Sequence, residues 1–316
     1  MKAIIIISII LIVLGIALFA VSAYSVDWDF TKLGAGKYET SSHEISEEFS
    51  SISIKTNTAD IVFAPSEDGV CRVISYEDVK EKHSVKVTDG ILTIEVNNEK
   101  KWYDYIGFYF KKPRLTVYLP DAQYADLLID ASTGDAKIPE NFRFASVDIS
   151  VSTGDVECEA SVSGKLKIRT TTGDIEISDL SAAEIELTVS TGDIEAEDIM
   201  CEGNIGITVS TGETSLDDVK CKSLSSSGNT GNISLEKVIV RENLSVKRST
   251  GDVIFEDSDA AEIFVETSTG NVKGSLLSEK IFITKTDTGK IDVPKTVTGG
   301  KCEIITDTGN IKITVK

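Results

Sequence analysis

The sequence predicts an all-β chain: a single-stranded parallel β-solenoid (β-helix) with coils of 19–20 residues, preceded by one N-terminal transmembrane helix. Three observations carry this. A Thr-Gly step recurs at Gly134, Gly154, Gly173, Gly192, Gly212, Gly231, Gly251, Gly270, Gly289 and Gly309, with successive gaps of 20, 19, 19, 20, 19, 20, 19, 19 and 20 residues. A fixed period of about 20 residues is the signature of stacked repeats. The flanks of each step alternate apolar and polar with period two, as half-buried strands do. The first 24 residues, by contrast, hold one long uncharged run.

That run, Ala3 to Tyr24, is 22 residues long, and a spanning helix needs about 20. Lys2 precedes it while Asp27 and Asp29 follow, so the positive-inside bias puts the N-terminus in the cytoplasm and the rest of the chain outside. The reading is a single-pass anchor over 1–24. A cleaved signal peptide is the rival, with Val21-Ser22-Ala23 as the small-residue site, but the run exceeds the usual 7–15 apolar residues of such a leader. Residues 25–48 read as a polar linker that carries His43.

Residues 49–63, "FSSISIKTNTADIVF", fit the repeat template with Ala59 in the glycine position, and read as a degenerate first coil. Residues 70–120 break the period. Within them "HSVKVTDGILTIEV" (83–96) reads as two strands around an Asp89-Gly90 turn. The region 49–120 is therefore assigned to the degenerate coil and an N-terminal cap, because the end of a solenoid otherwise exposes its core. Residues 121–316 are the solenoid proper.

Within a coil the inward set lies at odd offsets before the glycine and even offsets after it. Ile129, Ile149, Ile168, Leu187 and Ile207 stand five residues before; Ala136, Val156, Ile175 and Ile194 stand two after. A straight strand cannot change parity, so "STGD" must be a corner. Ten such coils would make a rod of roughly 45–50 Å at strand spacing. Because the C-terminus ends on the strand "NIKITVK", the last coil looks thinly capped, open to pairing with another chain or shielded by its lysines.

With the repeat goes the segment "RLTVYLPDAQYADLLIDASTGDAKI" (114–138): a strand ending in Leu119-Pro120, a second strand, and the first STGD. Together with the N-terminal helix this resembles the bacterial putative-adhesin family also called Toastrack, over roughly residues 45–316, and some members are LiaG-like membrane proteins. The resemblance implies a β-solenoid displayed outside a bacterial membrane and an association with cell-envelope stress. It supplies no catalytic residues.

The net charge of −19 argues against nucleic acid, whose phosphates need a basic footprint. Five cysteines at wide spacing, Cys71, Cys158, Cys201, Cys221 and Cys302, make neither a disulfide framework nor a metal motif, and read as buried small hydrophobes. Neither His43 nor His83 has an HExxH or triad context in sequence, Gly-x-Ser-x-Gly is absent, and no enzyme is expected. The residue after each of the first five glycines is acidic: Asp135, Asp155, Asp174, Asp193 and Glu213. Stacked carboxylates could ligate calcium. They could equally serve the corner itself, since Asp and Asn bond nearby backbone at turns, and the drift to Asn232, Asn271 and Lys290 favours that reading. The stacked Thr column is expected to bond the backbone of adjacent coils.

The segment least like a coil is "KKWYDYIGFYFKKPR" (100–114), in which Trp102, Tyr103, Tyr105, Phe108, Tyr109 and Phe110 are flanked by basic residues including Lys111 and Lys112. Aromatics favour membrane interfaces and lysines favour anionic lipid. Tyr and Trp also anchor protein interfaces, and the same residues could simply cover the end of the core. The expected function is a membrane-anchored extracytoplasmic binding or scaffold module. Its partners would be the membrane and an envelope protein, peptide or glycan. The alternative is a carbohydrate-active solenoid that uses the acidic column, in which case a cleft should cross that column.

Overall fold

The computed structural model describes residues 2–25, 28, 37–105 and 111–316. Its N-terminal element is the helix α1, Lys2–Ser25, an apolar helix whose described side chains are almost all exposed, as suits a hydrocarbon or leader environment rather than a protein core. The rest is a parallel β-solenoid of about 10 turns. Beyond α1 a 3₁₀ turn, Trp102–Tyr105, is the helical element among the described residues.

Each coil is a long strand, the Thr-Gly corner and a shorter strand. Identical offsets stack in register: Ile129 faces Ile149, Ile149 faces Ile168, and Ile168 faces Leu187, all in parallel pairs. The inward ladders are essentially dry, with Ile129, Ile149 and Ile168 at 0% exposure. Coil-on-coil stacking of like residues, not any single coil, therefore forms the core. All five cysteines are free and buried within it. Burial pushes the thiols of Cys158, Cys221 and Cys302 up to about 12, so they are poor nucleophiles.

Glycine is required at the corner for two reasons. Gly192 has φ 138°, and a Cβ on it would stand 2.1 Å from the carbonyl oxygen of Gly173 in the coil below. The positive φ follows from the parity switch; the glycine-on-glycine contact does not. The preceding Thr serves through its backbone. Its carbonyl accepts the glycine N–H of the neighbouring coil, as from Gly154 to Thr172 at 2.9 Å, while its side chain is exposed. Hydroxyl bonds to corner carbonyls come instead from the residue three before the glycine, as from Thr170 to Gly154 at 3.1 Å.

The N-terminal end departs from simple chain order. Strand β1, Tyr38–Ile45, occupies part of the stretch assigned to a polar linker and pairs antiparallel with β4, Cys71–Asp78. His43 faces Val73 there and is half-buried. Alternation of side chains over 38–45 is hidden in the sequence because both faces are polar. Strands β2, Ser51–Thr56, and β3, Asp60–Pro65, flank Ala59 and stack on the coil of Gly134 through Ile54 against Ile129 and Ile61 against Ala136. That coil is not the outermost. Strand β6, Ile91–Asn98, pairs parallel with β2 on the far side, and β7, Arg114–Leu119, pairs parallel with β3. Strand β5, Glu81–Thr88, forms a hairpin with β6 through Asp89 (φ 53°) and Gly90 (φ 74°). β6 and β7 are thus the two strands of the outermost coil, and 99–113 is the sequence that joins them where other coils have their corner.

The C-terminal end is permuted in the same way. The strand Gly300–Thr308 pairs with Val253–Thr269 on one side and with Lys280–Thr288 on the other. The last residues of the chain therefore lie one coil inside, and 280–292 form the end of the rod. This corrects the expectation that the C-terminal strand is the thinly capped coil. The inserted coil carries Cys302, Ile304, Ile311 and Ile313, all at most 2% exposed. The terminal coil has Thr284 where its neighbour has Ile304. Burying the more apolar coil on both sides is favoured by about 1–2 kcal/mol for that exchange. Lys280 reaches past the inserted coil to Asp259, Nζ to Oδ1 at 2.6 Å, and pins the terminal coil in place.

Candidate functional site

The segment 99–113 is held at both feet. Its first foot rests on a buried ionic cluster. Lys100 Nζ lies 2.6 Å from Glu81 Oε2 and 3.4 Å from Asp78 Oδ2, with all three side chains at most 8% exposed. Burial alone would depress the Lys100 ammonium, but the two carboxylates outweigh it and raise it above the usual lysine value. Asn57 donates to the second Glu81 oxygen at 2.8 Å, so the cluster also grips the corner of the β2–β3 coil. Asp104 accepts the Lys101 N–H at 2.9 Å and pairs with Lys80 at 2.5 Å, which fastens the 3₁₀ turn to the β4–β5 hairpin. The second foot is Lys111, whose Nζ stands 5.8 Å from the ring centroids of Tyr38 and Tyr76, themselves stacked at 5.4 Å.

The described side chains of the segment include exposed ones. Trp102 is 76% exposed, and Lys111 and Lys112 are exposed. Tyr103 and Tyr105 belong to the same 3₁₀ turn. Phe108, Tyr109 and Phe110 lie outside the described residues. Trp102 itself therefore does not cover the core.

Beneath the segment lies an arrangement that sequence spacing did not show. His83 Nδ1 is 2.7 Å from Glu77 Oε2, and its Nε2 is 2.9 Å from Thr56 Oγ1. With Nδ1 donating to the carboxylate, Nε2 accepts the threonine hydroxyl. This is a hydroxyl–imidazole–carboxylate relay, contrary to the reading that His83 has no such context. Thr56 at 2% and Glu77 at 2% exposure leave no room for a substrate, and the relay works as a cross-link between the coil and the hairpin. Burial raises the Glu77 carboxyl, but bonds from the His83 ring, the His83 N–H and the Ser41 hydroxyl outweigh it and hold it below the usual glutamate value. The available signal was a polar Glu77, Glu81 and His83 set at alternate, inward strand positions.

The acidic column is built for backbone. Asp135 Oδ1 accepts the Asp155 N–H at 3.1 Å, Asp155 that of Asp174 at 2.9 Å, Asp174 that of Asp193 at 2.7 Å, and Asp193 that of Glu213 at 2.6 Å. Asn232, Asn271 and Asn310 continue the series. Each side chain thus serves the next coil rather than its own turn. Like charges one strand apart repel by roughly 0.9 kcal/mol in water, about what one solvent-screened hydrogen bond returns. Lys290 falls in the terminal coil, where no further coil needs an acceptor. The donor set does not fit a calcium ladder: one oxygen of each of these aspartates is committed to an N–H, and among the described residues no group of three or more His, Cys, Asp or Glu is arranged to hold a metal.

A groove of about 420 Å³ runs alongside the column and does not cross it, between Asp60, Asp135, Asp155 and Asp174 on one side and Lys137, Glu157 and Glu176 on the other, with Arg114 among its lining residues. Partial burial, then the stacked Glu157 and Glu195, push the Glu176 carboxyl above its usual value.

With the coil, its corner and the Leu119-Pro120 entry established, the relationship can be stated. A family profile described as Toastrack DUF4097 matches residues 49–209, which is 161 of 316 residues. The chain belongs to the Toastrack family. No curated protein matches it. Solved structures similar to this Toastrack chain include a putative adhesin from Parabacteroides merdae, 15% identical, TM-score 0.48, covering 89% of this chain and 98% of that one. A putative adhesin from Bacteroides fragilis is 15% identical, TM-score 0.44, covering 88% and 97%. A putative lipid binding protein from Parabacteroides distasonis is 13% identical, TM-score 0.44, covering 89% and 98%.

Proposed function

We propose that this Toastrack chain is a membrane-anchored, extracytoplasmic binding and scaffold module that works in cell-envelope stress sensing. The observation that carries the reading is the outermost N-terminal coil. Its corner is replaced by 99–113, clamped at Lys100 and Lys111, with Trp102 outward. The chain enters this same end from α1 through β1, so the basic-aromatic segment is the part of the rod tethered closest to the bilayer. The uncleaved 1–24 run, with Lys2 before it and Asp27 and Asp29 after it, supports a cytoplasmic N-terminus. Aromatic and lysine side chains together suit an anionic lipid surface.

The test uses the full chain in nanodiscs with Trp28→Phe, which leaves Trp102 as the single tryptophan. The expected result is a blue-shifted Trp102 emission in discs with anionic lipid that is lost in zwitterionic discs and in Lys111→Ser/Lys112→Ser. Identical emission in all three sinks the membrane-facing role. The sensing role predicts that deleting the gene blunts the induction of envelope-stress genes by cell-wall antibiotics; full induction would remove it.

The groove beside the acidic column supports a second reading, a carbohydrate-active solenoid with Glu176, whose carboxyl is raised, as the candidate acid. Turnover of cell-wall glycans that disappears in Glu176→Gln supports it, and binding without turnover rejects it.

A further inference from the structure

The two ends of the rod are finished differently. At the N-terminal end the outermost coil is flanked by the β4–β5 hairpin and by β1, whose exposed faces are polar. At the C-terminal end nothing among the described residues lies over the terminal coil. The strand Lys280–Thr288 is paired on one side only, with Gly300–Thr308. Its other edge offers a row of backbone N–H and C=O groups. Ile281 is 43% exposed and Ile283 50%, and Ile291 just past the corner is 46% exposed. Phe282, on the core side of the same strand, is only partly covered. A bare parallel edge with apolar side chains on both faces is a site for strand addition.

We propose that this edge is the docking surface for a second copy of the same chain, joined end to end about a two-fold axis through Phe282. A two-fold needs a surface complementary to itself. The strand meets that condition in one antiparallel register, where residue numbers of partners sum to 564. Phe282 then faces the second Phe282 across the merged core. Ile281 faces Ile283 twice on the outer face. Glu279 faces Lys285 at both ends of the pairing. The local charge agrees. Residues 279–298 hold Lys280, Lys285, Lys290 and Lys295 against Glu279, Asp287 and Asp292, four minus three, or +1, in a chain of net charge −19. The terminal coil is thus a part of this acidic rod that can approach its own copy without strong repulsion. The product is a continuous sheet through two rods, with the two N-terminal caps at its far ends. One coil end is small beside the roughly 1,000 Å² of a stable interface, so association in the micromolar range is expected.

The test is the particle mass of the full-length protein in detergent by sedimentation, across micromolar concentrations. Lys285→Glu should halve the mass per particle, because it sets Glu279 against a carboxylate. Glu279→Lys should do the same. The double variant Lys285→Glu/Glu279→Lys restores the pairing with its sense reversed and should regain the wild-type mass. All four proteins should give the same circular dichroism, since both residues are exposed. A mass that does not fall in Lys285→Glu, or does not recover in the double variant, overturns the proposal.

Discussion

The backbone N–H of Asn310 donates to Oδ1 of Asn271 at 3.0 Å, across 39 residues of chain. Lys290, which is nearer in sequence, stands on the far side and donates its own N–H to Asn310 Oδ1 at 2.9 Å. The Asx ladder thus reads out the true order of the coils, in which the end of the chain is the second-last layer of the rod. Each rung also suggests how the rod can be weakened without touching its apolar core.

The corner should reject a side chain for steric reasons. In Gly192→Ala the new Cβ meets the Gly173 carbonyl and must also accept a positive φ. A loss of about 3 kcal/mol or more is expected in urea unfolding. Gly206→Ala is the control: its nearest neighbour would be 3.9 Å away, and it should stay within about 0.5 kcal/mol of wild type.

The ladder separates charge from hydrogen bonding. Asp174→Asn keeps the acceptor for Asp193 and removes two repulsions, so stability should be equal or higher, with the gain largest at low salt. Asp174→Ala loses the acceptor and should cost about 1 kcal/mol. Equal effects of the two changes in thermal unfolding would show that the Asp193 bond has no role.

The cap should be acid-sensitive through Glu77. Its carboxyl is held below the ordinary value near 4.3 in the folded protein. A lowered carboxylate contributes stability that is fully present above the unfolded value and is lost as pH falls through the folded one. Wild type should therefore lose its advantage over Glu77→Gln as pH drops from about 5 to below about 4.3. Melting curves across that range decide it.

Arg248 occupies a core column and makes no ion pair among the described residues; its head lies between Ser226, at 2.9 Å, and Thr214, at 3.1 Å, in space left by Gly228. Burial lowers its guanidinium to about 10. Arg248→Ala should cost about 2–4 kcal/mol by leaving a void and unpaired hydroxyls. Removing the charge and its hydroxyl partner together, with Arg248→Met and Ser226→Val, should recover part of that loss; Gly228 is kept, because a Cβ there would stand 2.4 Å from the Val209 carbonyl oxygen. A double variant no more stable than the alanine variant would contradict that account.

The local rules were legible in the chain. The 19–20-residue spacing and the parity switch at Gly134 through Gly309 fixed the coil and its corner, because like residues must stack on like for any coil to bury its face. The composition of 100–114 marked where the repeat gives way. What the linear pattern could not hold was the order of layers at either end. The spacing between Gly270, Gly289 and Gly309 is as regular as elsewhere, yet the last coil is inserted one layer inward, since stacking depends on which face is more apolar and not on which coil comes next. The same holds for Glu77, His83 and Thr56, and for Lys100 with Glu81. These are contacts between strands whose neighbours are chosen by the assembled cap. Periodicity specifies a repeated local conformation; the competition between coils for doubly covered positions, settled only when all of them are packed, decides which end is left open.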